Sequence, residues 1–282
     1  MAKLYGSVNG QTKEVKKLYG SVNGRGKVLQ KLYASVGGQT KLIYQNYGEV
    51  FYYTDDTYTT TAVEYIVNES DIASLCNTAT TWSATINGTT IPNTRIKDVD
   101  LGRSTLTSLG NGFLRSCVNL GSVVFPPNLT SIGALTLNNC TALNSTVSIP
   151  DGITTLPAGF MGACTSFNQP LTLPSGLTTI SGNTFNSLTS FNQPISIPDT
   201  VTSISGGFTF FNCNSMVSEI NIGNLPTSIV SSPSSTTFAT DDATAPFYTV
   251  GAKIAGANRA AWLALFPDLV SGPYRHLVDA GT

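Results

Sequence analysis

Hydrophobic and polar positions recur along residues 95–229 with a period of 23 to 25 residues. Each unit first carries an apolar–x–apolar triplet. The triplets are Val99/Leu101, Val123/Phe125, Val147/Ile149, Leu171/Leu173, Ile195/Ile197 and Ile220/Ile222. Side chains alternate between the two sides of a strand, so each triplet predicts a short strand with two inward residues. The outward middle residues are Asp100, Val124, Ser148, Thr172, Ser196 and Asn221.

A second signature follows each triplet and consists of two apolar residues flanking a hydroxyl pair. Its copies begin at Leu106, Leu129, Ile153, Leu177, Val201 and, in distorted form, Pro226. A proline follows four triplets directly and predicts a turn, because proline donates no N–H to a strand ladder; these are Pro126, Pro150, Pro174 and Pro198. Further on comes a large apolar anchor, at Phe113, Leu137, Phe160, Phe185 and Phe208. Six such units predict a solenoid, in which each turn buries its apolar face against its neighbours.

These units resemble the leucine-rich repeats of bacterial surface-antigen type, also called BspA-like. The likeness lies in the triplet with its proline, the Leu-Thr-Ser-Ile signature, and the run from a phenylalanine to Cys-x-x-Leu. Two copies, Thr165–Pro170 and Thr189–Pro194, look like a short variant. The resemblance implies a curved solenoid with strands on its concave side, a role in adhesion and protein binding, and no catalytic residues. Repeat proteins bind partners on the concave face, so the six outward residues are the candidate partner-binding residues. The expected partner is a host surface protein or a glycan.

The first 46 residues form a different, basic arm with a strict period of 14. The motif Lys3–Gly10 returns at Lys17–Gly24 and Lys31–Gly38. Asn-Gly and Gly-Gly between β-prone runs predict tight hairpin turns. The arm is therefore either a continuous meander, in which Leu32 faces Ile43, or a set of separate hairpins. The predicted fold class is mainly β with short helices: β-repeats followed by a capped leucine-rich-repeat solenoid.

Charge separates the arm from the rest of the chain. Residues 1–41 hold eight Lys or Arg and one acid, Glu14, while the remaining chain holds seven bases and fifteen acids. Lysines on strand edges prevent aggregation, but such an arm can also dock on an acidic surface. Nucleic acid is not favoured, because no known binding fold is present. The candidate docking residues are Lys3, Lys13, Lys17, Lys27, Lys31 and Lys41.

The 14-residue repeat also resembles N-terminal repeats of bacteriophage tail-fibre and other virion proteins. That resemblance implies attachment of the arm to other virion proteins or to its own copies, as a homo-oligomer in an assembly. The start of the sequence lacks the apolar core of a secretory signal, which favours release in a virion over export. The predicted function is a non-enzymatic tail, fibre or surface-decorating protein of a virion. The alternative is an adhesin of the bacterial cell surface.

The segments that flank the solenoid are predicted to close its two ends. Residues 47–94 are interpreted as a linker, rich in Tyr and Thr over 47–68, followed by an N-terminal cap. The cap has a strand at 62–67, a helix at 71–76 capped by Ser70, and an Asn-Gly hairpin at 84–91. Residues 230–282 are interpreted as a C-terminal cap containing a helix at 257–266 that Pro267 ends.

The composition offers little chemistry. No run of 18 apolar residues predicts membrane insertion, and no catalytic, cofactor or metal motif appears. The single histidine, His276, lies in the tail. The adjacent acids Asp55–Asp56 and Asp241–Asp242 are interpreted as solvated turns, because neither has the alternating spacing of a calcium loop. An enzyme, such as a hydrolase, is only a remote alternative.

One repeat position holds four cysteines and one leucine: Cys117, Cys140, Cys164, Leu188 and Cys213. A position that accepts leucine favours buried free thiols over disulfides or metal ligands. Stacked threonines, one in each second signature, would also suit an ice-binding solenoid. We favour hydroxyls that satisfy the backbone of neighbouring turns.

Overall fold

The computed structural model describes residues 5–8, 11–14, 31–36, 39–45, 48–66, 69–205, 209–210, 212–213, 215–216, 219–222, 228–230 and 253–255. One α-helix is described, α1 (Glu69–Ser74), with one 3-10 turn at Asn93–Arg95. The strands are β1 (Tyr5–Val8), β2 (Gln11–Glu14), β3 (Lys31–Val36), β4 (Gln39–Gln45), β5 (Gly48–Tyr53), β6 (Thr61–Ile66), β7 (Ser83–Ile86), β8 (Thr89–Pro92), β9 (Ile96–Asp100), β10 (Ser108–Leu109), β11 (Ser122–Val124), β12 (Ser131–Ile132), β13 (Thr155–Leu156), β14 (Thr179–Ile180), β15 (Ile195–Ile197), β16 (Ser203–Ser205), β17 (Glu219–Ile222), β18 (Ser228–Val230) and β19 (Lys253–Ala255). The fold is mainly β, as the sequence predicts.

The described strands of the arm form two antiparallel pairs. β1 pairs with β2, and β3 pairs with β4, each in a two-stranded sheet. This arrangement favours the separate hairpins over the meander. The prediction that Leu32 faces Ile43 is wrong: a register irregularity between Leu32 and Tyr33 places Leu32 opposite Tyr44. The middle copy of the 14-residue repeat lies outside the described residues.

The predicted linker is part of the fold. β5 is an inner strand of a four-stranded sheet with the order β11-β9-β5-β6, which we call the cap sheet. The interpretation of residues 48–53 as linker is therefore wrong. This segment alternates, and Val50 is fully buried on the core side. A Cβ added at Gly48 would lie 2.1 Å from the Asp100 carbonyl oxygen, so glycine allows this strand to approach β9 closely.

The remaining cap elements match their predictions closely. α1 begins two residues before the predicted start, so the prediction that Ser70 is its N-cap is wrong: Ser70 lies inside the first turn. β7 and β8 form the predicted hairpin, whose turn residues Asn87 and Gly88 have φ of 48° and 84°, as a type I′ turn requires. Trp82 connects the cap to the first repeat unit, because its indole Nε1 donates a hydrogen bond to the Arg115 carbonyl at 2.7 Å. The buried amide of Asn93 donates to the Ser116 carbonyl at 2.9 Å.

The triplets form the first parallel ladder, but it is interrupted. β9 pairs with β11, and β15 pairs with β17, in the predicted register. The predicted strands at 147–149 and 171–173 keep the in–out alternation of burial but are not paired strands. Pro170 and Pro174 flank the latter segment and donate no N–H, which removes ladder hydrogen bonds there.

The second signature forms a second parallel ladder. β10 pairs with β12, and β13, β14, β16 and β18 follow one another in a four-stranded sheet. Its apolar ends are buried, as at Leu109 and Ile132. The proline turns are confirmed as well: the carbonyls of Pro150, Pro174 and Pro198 each accept the N–H three residues later at 3.0 Å.

The large anchors occupy two neighbouring repeat positions rather than one. Relative to the cysteine position, the residues four and three before it are Phe113-Leu114, Thr136-Leu137, Phe160-Met161, Thr184-Phe185 and Thr209-Phe210, all buried. The anchor predicted at Phe208 falls outside the described residues. Phe210 is buried instead and stacks on Phe185 with ring centroids 5.2 Å apart.

The triplet ladder extends past the predicted end of the solenoid. β19 pairs with β17 in parallel, with Ile254 opposite Ile220. Residues 253–255, interpreted from the sequence as part of a C-terminal cap, therefore add a strand beyond the sixth triplet. The spacing from Ile220 to Ile254 exceeds the regular period, which hid this unit from sequence reasoning. The predicted helix at 257–266 lies outside the described residues.

Candidate binding surface

The predicted partner-binding residues form a row on the outer side of the triplets, which we call the triplet face. Val124 is 47% exposed. Ser148, Thr172 and Ser196 are exposed, and Asp100 is half-buried. Asp100 lies directly beside Val124 in the ladder, and Ser196 lies beside Asn221. Between these two pairs the ladder is interrupted.

A groove of about 370 Å³ lies at this interruption, between the second and third units. Its walls include Val124, Phe125, Pro127, Ser148 and Pro150, and Asp151 is also a lining residue. Val124 is one of two exposed large hydrophobic residues in the described part of the chain. The groove therefore combines apolar walls with two hydroxyl residues, Thr146 and Ser148, and one acid.

The repeat region around the groove is almost free of charge. Residues 104–218 contain three charged side chains, Arg115, Asp151 and Asp199. The exposed positions carry Ser, Thr and Asn instead. Such a surface offers hydrogen bonds and van der Waals contact, but little long-range electrostatic attraction.

The second ladder carries the exposed threonines, and their hydroxyls are bonded within the chain. Thr130 Oγ1 donates to the Thr107 carbonyl at 3.1 Å, and Thr178 Oγ1 donates to the Thr154 carbonyl at 3.0 Å. Thr202 Oγ1 lies 3.5 Å from the Thr178 carbonyl. The expectation that these hydroxyls satisfy neighbouring turns is confirmed at Thr130, Thr178 and Thr202.

Behind both faces, the cysteines are free, as predicted. Cys117, Cys140, Cys164 and Cys213 are buried, and Cys76 is half-buried. The Sγ atoms of Cys140 and Cys164 lie 3.1 Å from the carbonyls of Leu114 and Leu137 in the preceding turns. Burial raises the pKa of the Cys164 and Cys213 thiols to about 12. Neutral thiols are therefore packing groups here.

Sequence reasoning missed an asparagine ladder that orders the short-variant units. Asn144 Oδ1 accepts the backbone N–H of Asn168 at 2.9 Å, and Asn168 Oδ1 accepts that of Asn192 at 2.8 Å. Phe167 and Phe191 stack beside it, with centroids 5.9 Å apart. The signal was visible as an asparagine four residues after the cysteine position in three successive units.

The candidate docking lysines are placed only in part. Lys13 lies on β2, Lys31 on β3 and Lys41 on β4. The other three, Lys3, Lys17 and Lys27, fall outside the described residues.

The described part of the chain holds no group of three or more His, Cys, Asp or Glu that could bind a metal. Among the same residues, no helix is long and apolar enough to span a bilayer. The Asp55 carboxylate stabilises the turn in which it lies by accepting the backbone N–H groups of Thr59, Thr57 and Thr60. These hydrogen bonds hold the pKa of Asp55 far below its ordinary value. Asp56 pairs with Arg95. His276 and the Asp241–Asp242 pair lie outside the described residues.

Comparison with known proteins agrees with the repeat pattern. The family described as BspA type leucine rich repeat region, in six copies, matches residues 75–168 and 157–240. The chain belongs to this family. No curated protein matches the chain.

One similar solved structure is a leucine rich cell surface protein from Faecalibacterium prausnitzii A2-165. It is 19% identical, and the match covers 67% of this chain and 38% of that protein, with a TM-score of 0.38. The chain thus spans about two fifths of that protein's length.

Proposed function

We propose that this chain is a non-enzymatic binding protein of bacterial surface-antigen type, an adhesin that holds a host surface protein or glycan on its triplet face. Membership of the BspA-type family supports the class of protein. The main observation in support of this binding site is that Val124 is exposed at the groove between the second and third units. An exposed apolar side chain beside a concave, mostly neutral surface is typical of a binding site.

The chemistry of the triplet face defines the partner. Ser148, Thr172 and Ser196 present hydroxyl groups, and Val124 with Pro127 presents apolar surface. Alternating hydroxyls and apolar patches complement a sugar ring or an uncharged extended peptide. Because residues 104–218 carry only three charges, this binding should change little with salt concentration.

The proposed setting is the surface of a bacterium, in keeping with the family. The virion setting rests on the resemblance of the 14-residue repeat and stays a prediction. Immunogold labelling distinguishes the two settings. Label on the envelope of producing cells is expected, whereas label confined to released particles would favour the virion.

The binding site is tested by binding of the full chain to host cells and to a glycan array. We expect Val124→Asp and Ser148→Arg each to weaken binding about tenfold or more, since residues central to an interface carry most of its energy. Matched controls place the same side chains on the second ladder, as Thr155→Asp and Thr155→Arg. Thr155 is also exposed but lies on the second ladder.

Circular dichroism must show all four variants folded. Equal loss of binding on both faces would point to a general effect of charge. Full binding by Val124→Asp and Ser148→Arg would contradict the proposed site. Binding that falls steeply with salt would contradict its neutral chemistry.

A further inference from the structure

Both parallel ladders of the solenoid are interrupted at the same junction, between the second and third units. On one side of this junction the triplet ladder ends at β11, and on the other side residues 147–149 form no paired strand. Among the described strands of the second ladder, β12 pairs with β10 alone and β13 pairs with β14 alone. We call this double interruption the split.

The other junctions of the repeats keep at least one ladder. The first and second units are joined by both ladders, and the third and fourth units are joined by β13 and β14. At the split, the two units are hydrogen-bonded along the large anchors. The N–H groups of Leu135 and Asn139 donate to the carbonyls of Ala158 and Gly162 at 2.8 and 2.7 Å. The split is therefore joined along the anchors and open along the strands.

Backbone polar groups line the open side of the split. A strand residue directs its N–H and C=O to the same edge, and successive residues alternate between the two edges. The Val124 carbonyl points back to the first unit, where it accepts the Leu101 N–H at 2.8 Å. Ser148 has the equivalent place in the third unit, so its N–H and C=O point back into the split. No backbone–backbone hydrogen bond joins residues 147–149 to another residue in the part of the chain that the structure describes.

The size and the walls of the split suit a short segment of another polypeptide. The groove there has a volume of about 370 Å³, and Val124, Phe125 and Pro127 give it apolar walls. An extended peptide can add to a strand edge through main-chain hydrogen bonds, while its alternate side chains fill neighbouring pockets. In the split, such a peptide would bond to Ser148 and place one apolar side chain on Val124.

The charge at the split defines a further feature of the occupant. Asp151 is the charged residue that lines the groove, and it is exposed. It forms no ion pair with another described residue. A lysine or arginine can lay its apolar stem along the walls and reach this carboxylate with its charged end. An exposed ion pair changes binding by at most about fivefold, so it sets the register of the segment more than its affinity.

A glycan fits these features less well than a peptide. Sugar rings are commonly held by exposed aromatic rings, but residues 104–218 contain no Tyr or Trp. The described phenylalanines of the repeats are buried. A sugar also lacks the regular alternation of N–H and C=O groups that would pair with the backbone of residues 147–149.

We propose that the split binds one extended segment of a host protein as an added strand between β11 and residues 147–149, with a basic side chain of that segment at Asp151. This inference rests on the proposed function, because it names the part of the partner that the triplet face holds. The segment is neutral apart from one Lys or Arg and is apolar at alternate positions. Main-chain hydrogen bonds supply most of its affinity, and Val124 and Asp151 select its side chains.

The probe for the first experiment is a random dodecapeptide library displayed on phage and selected on the immobilised full chain. We expect enrichment of peptides in which apolar and hydroxyl residues alternate and one Lys or Arg is present. The most enriched peptide is then synthesised, and its Kd is measured by fluorescence anisotropy. Methylation of its central backbone nitrogens should weaken binding by about tenfold or more, because the donors that pair with the split are removed.

Variants of the chain test the same bonds from the other side. Ser148→Pro removes a backbone N–H without changing a described backbone bond, so circular dichroism should show a folded protein while the Kd rises about tenfold or more. Ser148→Ala keeps the N–H and should raise the Kd less than about threefold. The methylated peptide tests these bonds without any change to the protein.

The ion pair has its own matched control. Asp151→Asn should raise the Kd of a peptide with Lys or Arg by about two- to fivefold, and should not affect the same peptide with Gln at that position. Asp199 also follows the proline of its unit and is exposed, but it lies away from the split. Asp199→Asn should therefore leave the Kd unchanged.

Four outcomes would overturn this inference. They are a selection that enriches no peptide, a methylated peptide that binds as well as its parent, equal Kd values for Ser148→Pro and Ser148→Ala, and displacement of the peptide by a synthetic peptide of residues 1–46. The last outcome would assign the split to the chain's own arm. The proposed adhesin function fails separately, when Val124→Asp and Ser148→Arg bind host cells as well as the unaltered chain does.

Discussion

The cap and the repeats of this chain are stabilised in different ways. In the cap, single contacts join distant parts of the sequence, such as Trp82 to Arg115 and Arg103 to Glu49. In the repeats, the same contact is made turn after turn with a sequence separation of 23 to 28 residues, as for Thr130 to Thr107 and Cys213 to Phe185.

The repeats differ from the cap because each of their contacts has several equivalents. The Thr107 carbonyl accepts the N–H groups of both Thr130 and Ser131 as well as the Thr130 hydroxyl. A solenoid whose turns interact only with their neighbours can spread a loss over many equivalent contacts. The cap has unlike partners, so each contact is made once and has no substitute.

The largest expected effect tests whether a repeat core position is as sensitive as any globular core. Phe160 is fully buried and stacks on Phe125 with centroids 6.4 Å apart. Phe160→Ala should lower the free energy of unfolding by about 3–5 kcal/mol, since a large cavity is left. Chemical denaturation measures this, with the exposed Val124→Ala as control. A loss below about 1 kcal/mol would mean that neighbouring turns collapse into the space.

The next prediction compares the loss of unfolding free energy when a cap contact is removed with the loss when a repeat contact is removed. Trp82→Phe removes the indole donor to the Arg115 carbonyl and should cost about 1–3 kcal/mol, as a buried group left unpaired does. Thr130→Val removes an exposed donor to a carbonyl that keeps two others, and should cost less than about 0.5 kcal/mol. Equal losses in denaturation would remove the distinction between cap and repeats.

A smaller effect concerns the thiols. Cys164→Ala should cost about 1 kcal/mol, as a small core truncation does. Because burial raises the pKa of Cys164 from 9.0 to about 12, the folded state holds the proton more tightly than the unfolded state. The stabilisation is complete below pH 9 and is lost as pH rises towards 12, by up to about 1.4 kcal/mol per pH unit. Cys164→Ala should flatten that slope, and a reagent-accessible Cys164 at pH 8 would contradict burial.

The smallest effect is expected from the arm. Deleting residues 1–46 should leave the melting temperature of the remaining chain nearly unchanged in dilute solution, because so small a β segment buries little surface. Calorimetry of both proteins at low concentration measures this. Unfolding of the truncated protein would show that the arm belongs to the cap's core.

Sequence periodicity predicted what repeats, and missed what occurs once. The triplets, the proline turns and the shared Cys/Leu188 position follow from size and polarity at fixed spacing. β5 pairs with the nearby β6 and with β9, which lies more than 40 residues away. No local signal shows the pairing with β9, and residues 48–53 were taken for linker. β19 was missed because an insertion precedes it. The groove follows from the interrupted ladder at 147–149, where the sequence still has the strand pattern.

The asparagine ladder affects how the number of repeat units in such a protein can change during evolution. Asn144 and Asn168 each accept the backbone N–H of the asparagine one turn further on through the same side-chain oxygen, so these turns are interchangeable at their joints. Duplication or loss of one such unit in the gene would rejoin identical donors and acceptors. Copy number can thus drift between strains without a new cap, and each added unit would lengthen the row of outward side chains by one.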